Sequence, residues 1–412
     1  MGWFTSRKSS PEIRNDRSAS LGVDLNAGRV RATAGRSNRH RVLLLDDPFA
    51  DLPMTISMEQ RTPEVGRAGA RLVRRLPHAV CANYLPFLGQ SQEWSAGRLT
   101  LRPESAISLA LDRLRVLCTG YDHLAMAVPA YLILSQMTKF VPLVMRAKLP
   151  LNGTVVAPLA VAADRATQLL HDEPLSQNAK TWVVPIHRSG QAAPTTTVIV
   201  DIDDYALTVT LVRVDEEQAQ ILGSSAYPRL GLKVWKDRLL DCVADRCVRL
   251  CRRDPRDSAE AEQSLYEQID ASLDLIRDGH KVAIKARAAN WFQDLIFQPD
   301  DFEGFCSGML KQTVQAVNEL ILTSSLLQPP RAIWLLHDAG RLPGLRKLLH
   351  QHATEQTYVT TLPPEAVSMA AANLAERWRV GELPRSHLDS SIPFPKKPAE
   401  AKPAPIAKPK RV

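Results

Sequence analysis

The sequence predicts an α/β protein whose two similar lobes enclose a central cleft. Its 412 residues are 45% hydrophobic, which is enough to bury a large core. Strand-like and helical apolar patterns alternate along most of the chain. A predicted β-hairpin that carries Asp24 is echoed 177 positions later (201 − 24) by a second hairpin that carries Asp201. Such a repeated unit indicates two related lobes, with a ligand cleft where they meet.

The first half of the chain opens with the earlier hairpin. Residues 21–25 and 29–33 have strand-like composition and flank a turn at Asn26-Ala27-Gly28. Apolar spacing and turn residues predict the other elements of this half: a helix at 102–118, a buried strand at 123–132 that ends at Pro129, a strand from 152, a turn at Pro158 and an Ala-rich helix.

The second half repeats the pattern with more helix. Residues 181–197 are predicted to be a loop, and 198–214 to form two strands around a turn at Asp203-Asp204-Tyr205. The same reasoning predicts the remaining elements: a strand near 219–223, helices after Gly231, at 257–277 and at 300–323, a strand at 332–336, a turn at 337–340, and helices at 343–351 and 364–378.

The two ends differ from the body in composition. Residues 1–19 are predicted to be a flexible leader, and 379–412 a disordered Pro/Lys/Ala tail. The chain has 52 basic and 44 acidic residues, but residues 385–412 alone carry seven basic and two acidic ones. The body is therefore nearly neutral, so overall charge does not indicate a nucleic-acid groove. The basic tail either contacts an acidic partner or serves as a solubilising end.

The lack of a membrane-spanning apolar run and the few, scattered cysteines predict a soluble cytoplasmic protein. No apolar run approaches the roughly 18 residues that a membrane span needs. Six scattered cysteines do not form a disulfide framework. Cys242, Cys247 and Cys251 share a broad helix face, which fits either a metal site or small apolar side chains in a core.

Seven short segments, in order, resemble the ATPase domain of DnaK-type chaperones. They are Gly22-Val23-Asp24-Leu25, Val128-Pro129-Ala130-Tyr131 with Ser135-Gln136, Pro158-Leu159-Ala160-Val161-Ala162, Asp201-Ile202, Leu230-Gly231 with Asp237-Arg238-Leu239, Gly340-Arg341-Leu342-Pro343, and Pro364-Glu365-Ala366-Val367. The resemblance implies an actin-like ATPase fold over residues 20–378. Lobe I would comprise about 20–197 plus 364–378 and lobe II about 198–363, each built on a duplicated sheet-plus-helices subdomain around a nucleotide cleft.

The resemblance also implies a site for Mg·ATP or Mg·ADP. In the family, the carboxylates matching Asp24 and Asp201 hold hydrated Mg²⁺ and position the attacking water, which makes them the candidate catalytic and metal residues. The candidate nucleotide-binding residues lie in three loops: Asn26, Ala27 and Gly28; Asp203, Asp204 and Tyr205; and Ala339, Gly340 and Arg341. An Asp that ends a buried strand also commonly serves as a turn cap.

The phosphate loops diverge from the family. Its Gly-Gly-Gly-Thr becomes Asp203-Asp204-Tyr205-Ala206, and each carboxylate about 4 Å from a phosphate charge costs about 4 kcal/mol at an effective dielectric of about 20. The catalytic lysine aligns with Leu85, and the ribose-binding Lys-Arg pair falls near Ser272-Leu273. Arg29 and Arg31 either replace lost phosphate contacts or are solvated hairpin positions. At most a weak ATPase is expected.

Three functions remain open at this point. The first is a chaperone-like ATPase-domain protein that lacks a peptide-binding domain, binds ATP or ADP weakly or not at all, and acts as a conformational or interaction module for an unidentified protein partner. It rests on the altered loops and on the 34 residues after Trp378, which are too few for the family's peptide-binding domain. The alternatives are an active Mg-dependent ATPase co-chaperone and a cytoskeletal or pilus-assembly actin relative.

Overall fold

The computed structural model of the chain describes residues 19–36, 39–171 and 194–394. Within these residues, two six-stranded sheets and three smaller sheets pack with helices. This mixed α/β architecture is compatible with an actin-like ATPase fold.

The first large sheet and its helices come from the N-terminal part of the chain. Its strands, with those of two small sheets, are β1 (Ser20–Leu25), β2 (Arg29–Arg36), β3 (Arg39–Val42), β4 (Leu52–Pro53), β5 (Thr55–Ser57), β6 (Glu64–Val65), β7 (Val80–Ala82), β8 (Trp94–Ala96), β9 (Leu99–Leu101), β10 (Leu124–Val128) and β11 (Leu151–Val156). The helices are α1 (Arg67–Ala70), α2 (Pro103–Leu117), α3 (Leu134–Arg146) and α4 (Ala157–His171). The large sheet has the order β11-β10-β1-β2-β3, with β4 paired to β2.

The second large sheet follows. The strands of this part are β12 (Thr195–Ile202), β13 (Leu207–Val214), β14 (Gln218–Tyr227), β15 (Val282–Ala288), β16 (Trp291–Phe297), β17 (Ala332–Leu335), β18 (Tyr358–Thr361) and β19 (Ser391–Pro393). The helices are α5 (Leu232–Cys251), α6 (Ala259–Arg277), α7 (Pro299–Phe305), α8 (Ser307–Thr323), α9 (His337–Gly340), α10 (Leu345–His352) and α11 (Ala366–Arg379). The sheet order is β18-β17-β12-β13-β14-β19, and β15 pairs with β16 alone.

Both large sheets share one topology. Each contains an antiparallel meander of three strands, β1-β2-β3 or β12-β13-β14. Two later strands then extend the sheet in parallel with the first strand of the meander, β10 and β11 in one sheet and β17 and β18 in the other. The repeat that the two hairpins predicted therefore extends to five strands of each sheet.

Both predicted hairpins are confirmed, and a few local predictions are wrong. Pro158 lies in the first turn of α4, where a missing N–H costs nothing, and does not form a separate turn. The predicted loop at 181–197 falls largely outside the described residues, and its last part, from Thr195, is already strand β12. Residues 300–323 form two helices, α7 and α8, that meet at Cys306.

The ordered chain continues past 378, into residues assigned from composition to a disordered tail. Residues 380–394, here termed the C-terminal strap, run from one sheet edge to the other. Thr154 of β11 donates its N–H to the carbonyl of Ser386 at 3.1 Å, and β19 pairs with β14. Ile392 and Phe394 are buried in the core. Residues 1–18 of the predicted leader and residues 395–412 lie outside the described residues.

A core shared by the two large sheets fixes the first hairpin. Helices α4 and α11 pack together in this core, with Ala125 of β10 on one side and Ile199 of β12 on the other. Gly22 of β1 lies directly against α11, because a Cβ there would collide with the carbonyl of Ser368 and the amide of Ala372. This close approach holds the end of β1, and with it Asp24, in place.

Candidate functional site

The turns of the two hairpins lie against each other. The N–H of Ala27, in the β1–β2 turn, donates to Oδ2 of Asp203 in the β12–β13 turn at 2.9 Å. Oδ1 of the same carboxylate accepts the N–H groups of Tyr205 and Ala206, both at 3.0 Å. Asp203 therefore caps its own turn and also joins it to the other hairpin.

Further contacts within and between the two turns involve Asn26, Gly28 and Asp204. Oδ1 of Asn26 accepts the N–H groups of Gly28 and Arg29, at 3.0 and 2.9 Å, which closes the first turn from within. A Cβ on Gly28 would approach Cγ of Asp204 to 3.0 Å. The structure thus brings together the residues that the sequence assigned to two separate phosphate loops.

Tyr131 contacts the same place from the segment between β10 and α3. Its hydroxyl donates to Oδ2 of Asp203 at 2.6 Å. Its ring centroid lies 5.1 Å from that of Tyr205, which in turn lies 6.1 Å from Phe87. Burial and the Asp203 carboxylate raise the pKa of Tyr131, so the hydroxyl remains a proton donor at neutral pH. Sequence reasoning used Tyr131 only to support a family resemblance and did not assign it to the site.

Arg29 extends from the first hairpin to α9, and both Arg29 and Arg31 pair with carboxylates. Arg29 binds Oδ2 of Asp24 through Nη1 at 2.7 Å, and Oδ2 of Asp338 through Nε at 3.0 Å. Burial alone lowers the pKa of Arg29, but Asp338 and Asp24 outweigh it and raise the pKa well above its usual value. Arg31 is buried against the carboxylate of Asp51. The expectation of solvated hairpin positions is wrong because both guanidinium groups find carboxylate partners.

The third predicted loop is the short helix α9. Ala339 and Gly340 are buried within it, and Arg341 follows directly. Arg341 pairs with three carboxylates, those of Asp270, Asp274 and Asp338, at 3.6, 3.4 and 3.4 Å. Burial raises the pKa of Asp338, yet Arg29 and Arg341 together hold it below its usual range. Arg341, a candidate nucleotide-binding residue, is therefore engaged with α6 and α9.

Carboxylates outnumber nearby cations around the second turn. Burial, with the charges of Asp24 and Asp203, raises the pKa of Asp201 to about 8. Burial raises the pKa of Asp203 to about 6, although its hydrogen bonds to Tyr131 and the turn amides oppose the shift. Burial also raises the pKa of Asp204 above its usual range. The low-dielectric setting thus disfavours further negative charge at this point.

The positions aligned with the family's cationic residues are uncharged here. Leu85 is buried in a short helical turn, and Ser272 and Leu273 are buried in α6. Lys236 of α5 also pairs with Asp270 of α6, at 2.9 Å between Nζ and the carboxylate. Sequence spacing could not identify this pair, because its residues lie on two separate helices.

A second contact, here termed the outer contact, joins the α1 region to helices α5 and α6. Arg74 makes ion pairs with Asp237 and Glu262, and its guanidinium lies over the ring of Tyr266. Gln263 accepts the backbone N–H of Arg74 at 2.8 Å and donates to the carbonyl of Ala70 at 3.0 Å. The outer contact and the hairpin contact together join the chain that precedes β12 to the chain from β12 onward.

Asp24 and Asp201 are the predicted magnesium ligands. Asp24 is paired with Arg29, and the amide of Ala27 is bonded to Asp203. In the described part of the chain, no group of three or more His, Cys, Asp or Glu side chains could hold a metal ion. A phosphate chain or a hydrated ion at these groups would have to displace Arg29 from Asp24 and Asp203 from the Ala27 amide.

Comparison with known proteins gives one weak likeness. The chain is similar to heat shock 70 kDa protein 14 of Rattus norvegicus, at 22% identity over 216 residues, which cover 49% of this chain and 41% of that protein. The chain thus spans about two-fifths of the length of this curated relative. No family model matches. The likeness supports a relationship of the heat-shock 70 kDa type and nothing finer.

Among the described residues, none of the helices is both long and apolar enough to cross a bilayer.

Proposed function

We propose that this protein is a chaperone-like, ATPase-type protein whose nucleotide cleft is closed by its own side chains, so that it binds ATP or ADP weakly or not at all. It would act as a conformational or interaction module for a protein partner. The observation that carries the proposal is the Asp203 carboxylate, which accepts the Ala27 N–H that a phosphate oxygen would otherwise need.

Electrostatics supports the same conclusion. Eight carboxylates belong to the cleft network, those of Asp24, Asp51, Asp201, Asp203, Asp204, Asp270, Asp274 and Asp338. Its six basic partners are Arg29, Arg31, Lys233, Lys236, Arg277 and Arg341. A polyanion entering here would meet excess negative charge, at about 4 kcal/mol for each close pair at an effective dielectric of about 20.

The decisive experiment is calorimetric titration of the full chain with Mg·ATP. We expect no binding heat at micromolar nucleotide, and no rise in unfolding temperature at millimolar nucleotide, because a ligand of the native state would stabilise it. Micromolar binding that disappears in the Asp24→Asn variant would overturn the proposal. Turnover of that bound ATP would favour the active ATPase alternative instead.

A pair of variants tests whether Asp203 is the cause. Asp203→Ala removes the carboxylate that occupies the Ala27 amide, and we expect it to bind Mg·ATP more tightly than the wild type. Asp215→Ala is the matched control, because Asp215 caps the β13–β14 turn through the N–H groups of Glu217 and Gln218 in the same way. Equal affinities in the two variants would show that Asp203 does not exclude nucleotide.

A further inference from the structure

The last turn of α5 carries two thiols in contact. Sγ of Cys247 lies 3.5 Å from Sγ of Cys251, and the Cys251 thiol donates to the carbonyl of Cys247 at 3.2 Å. Cys251 is half-buried, whereas the other five cysteines of the chain are buried. A soluble reagent therefore reaches Cys251 first, with a second sulfur directly behind it.

The surroundings of Cys251 are electropositive. Arg249, Arg252 and Arg253 are exposed, and no ion pair in the described structure engages them. Reactive thiols occur in partly exposed, positively charged settings, because positive charge stabilises the thiolate. The same arginines attract an anionic reagent.

We propose that Cys251 and Cys247 form a thiol–disulfide exchange site for small anionic disulfides such as oxidised glutathione. The Cys251 thiolate attacks one sulfur of the reagent, whose S–S bond breaks and releases one glutathione thiolate that takes up a proton. Cys247 then loses its proton to water and attacks Sγ of Cys251, which expels the second glutathione. Two protein thiols are oxidised, and one disulfide is reduced to two thiols.

The position at the helix end makes the second step feasible and reversible. Cβ atoms four residues apart in a helix are about 5–6 Å apart, whereas a disulfide needs about 3.5–4.5 Å. Closure must therefore distort the last turn. That turn has no helix beyond it, because Arg252 adopts a left-handed conformation with φ 59°. A disulfide that distorts its surroundings is readily reduced. Burial raises the pKa of Cys247 to about 12, which makes its attack the slow step.

The test exposes the reduced full chain to oxidised glutathione and follows intact mass and peptide maps. We expect the wild type to lose the mass of two hydrogen atoms, with the bond mapped to Cys247 and Cys251. Cys247→Ala should stop at one bound glutathione on Cys251, and Cys251→Ser should stay unmodified. Cys247→Ser serves as a second resolving-thiol variant in case the alanine variant folds poorly.

Two outcomes would overturn the proposal. One is a wild type that accumulates glutathione on Cys251 without converting it to a disulfide. The other is modification of Cys81 or Cys118 as fast as Cys251. Replacing Arg249, Arg252 and Arg253 with glutamine should slow the first step several-fold, and an unchanged rate would contradict the electrostatic argument.

Discussion

Tyr131 donates its hydroxyl hydrogen to Oδ2 of Asp203 at 2.6 Å, and that oxygen also accepts the N–H of Ala27. Three segments distant in sequence thus meet at a single carboxylate oxygen. The contact joins the end of β10 to the turns of both hairpins. The strength of these hydrogen bonds therefore determines how firmly the two turns are held together.

Removing this hydroxyl should destabilise the protein measurably. Tyr131→Phe keeps the ring contacts with Tyr205 but removes a hydrogen bond to a charged group, which is typically worth about 1.5–3 kcal/mol. We expect a loss of about 2 kcal/mol in the free energy of unfolding, measured by urea denaturation. Tyr84→Phe is the control, because the buried Tyr84 hydroxyl donates only to the sulfur of Met54 at 3.5 Å. Equal losses of stability in the two variants would show that the bond to Asp203 contributes no more than the bond to Met54.

Stability should depend on pH through the buried carboxyls. The pKa of Asp201 is raised to about 8 and that of Asp203 to about 6, both by burial first. The folded protein therefore binds these protons more tightly than the unfolded chain, so their contribution to stability falls as pH rises toward each folded pKa. Burial lowers the pKa of His337, which acts in the opposite direction as pH rises.

Variants separate these contributions. Asp201→Asn removes one titrating group, so its stability relative to the wild type should increase steadily from about pH 5 to about pH 8. For Asp203→Asn, the corresponding difference should level off above about pH 6. Urea denaturation across this range measures both curves. Two curves that remain flat would contradict the raised pKa values.

The local elements were predictable from sequence, whereas the contacts between distant segments at the hairpin turns were not. Alternating apolar residues and a turn specify each hairpin locally, so Asp24 and Asp201 were correctly placed at strand ends. The bond from Arg29 to Asp338 joins residues 309 positions apart, and no local spacing encodes such a contact. The C-terminal strap was missed for another reason. Its Pro-rich composition predicts disorder, yet a few buried side chains and backbone pairs order it.

The outer contact should limit local opening between the α1 region and helices α5 and α6. Arg74→Ala removes ion pairs to Asp237 and Glu262 and the contact with the Tyr266 ring. We expect faster amide hydrogen exchange in residues 67–76 and 259–270, with little change elsewhere. Arg75→Ala is the matched control, since its pair with Glu59 at 3.9 Å is exposed and weak. Identical hydrogen exchange in the two variants would mean that Arg74 does not hold the α1 region against α5 and α6.

The C-terminal strap should stabilise both large sheets together. Ile392→Ala removes a buried side chain from the core shared by the sheets, and such changes cost about 2–5 kcal/mol. Ser391→Ala, on the same short strand, should change stability by less than about 0.5 kcal/mol. The strap bonds to Thr154 of β11 and to Ile221 of β14. Loosening it should therefore speed hydrogen exchange in both edge strands. Faster exchange in β14 alone would show that the strap binds the two edges independently.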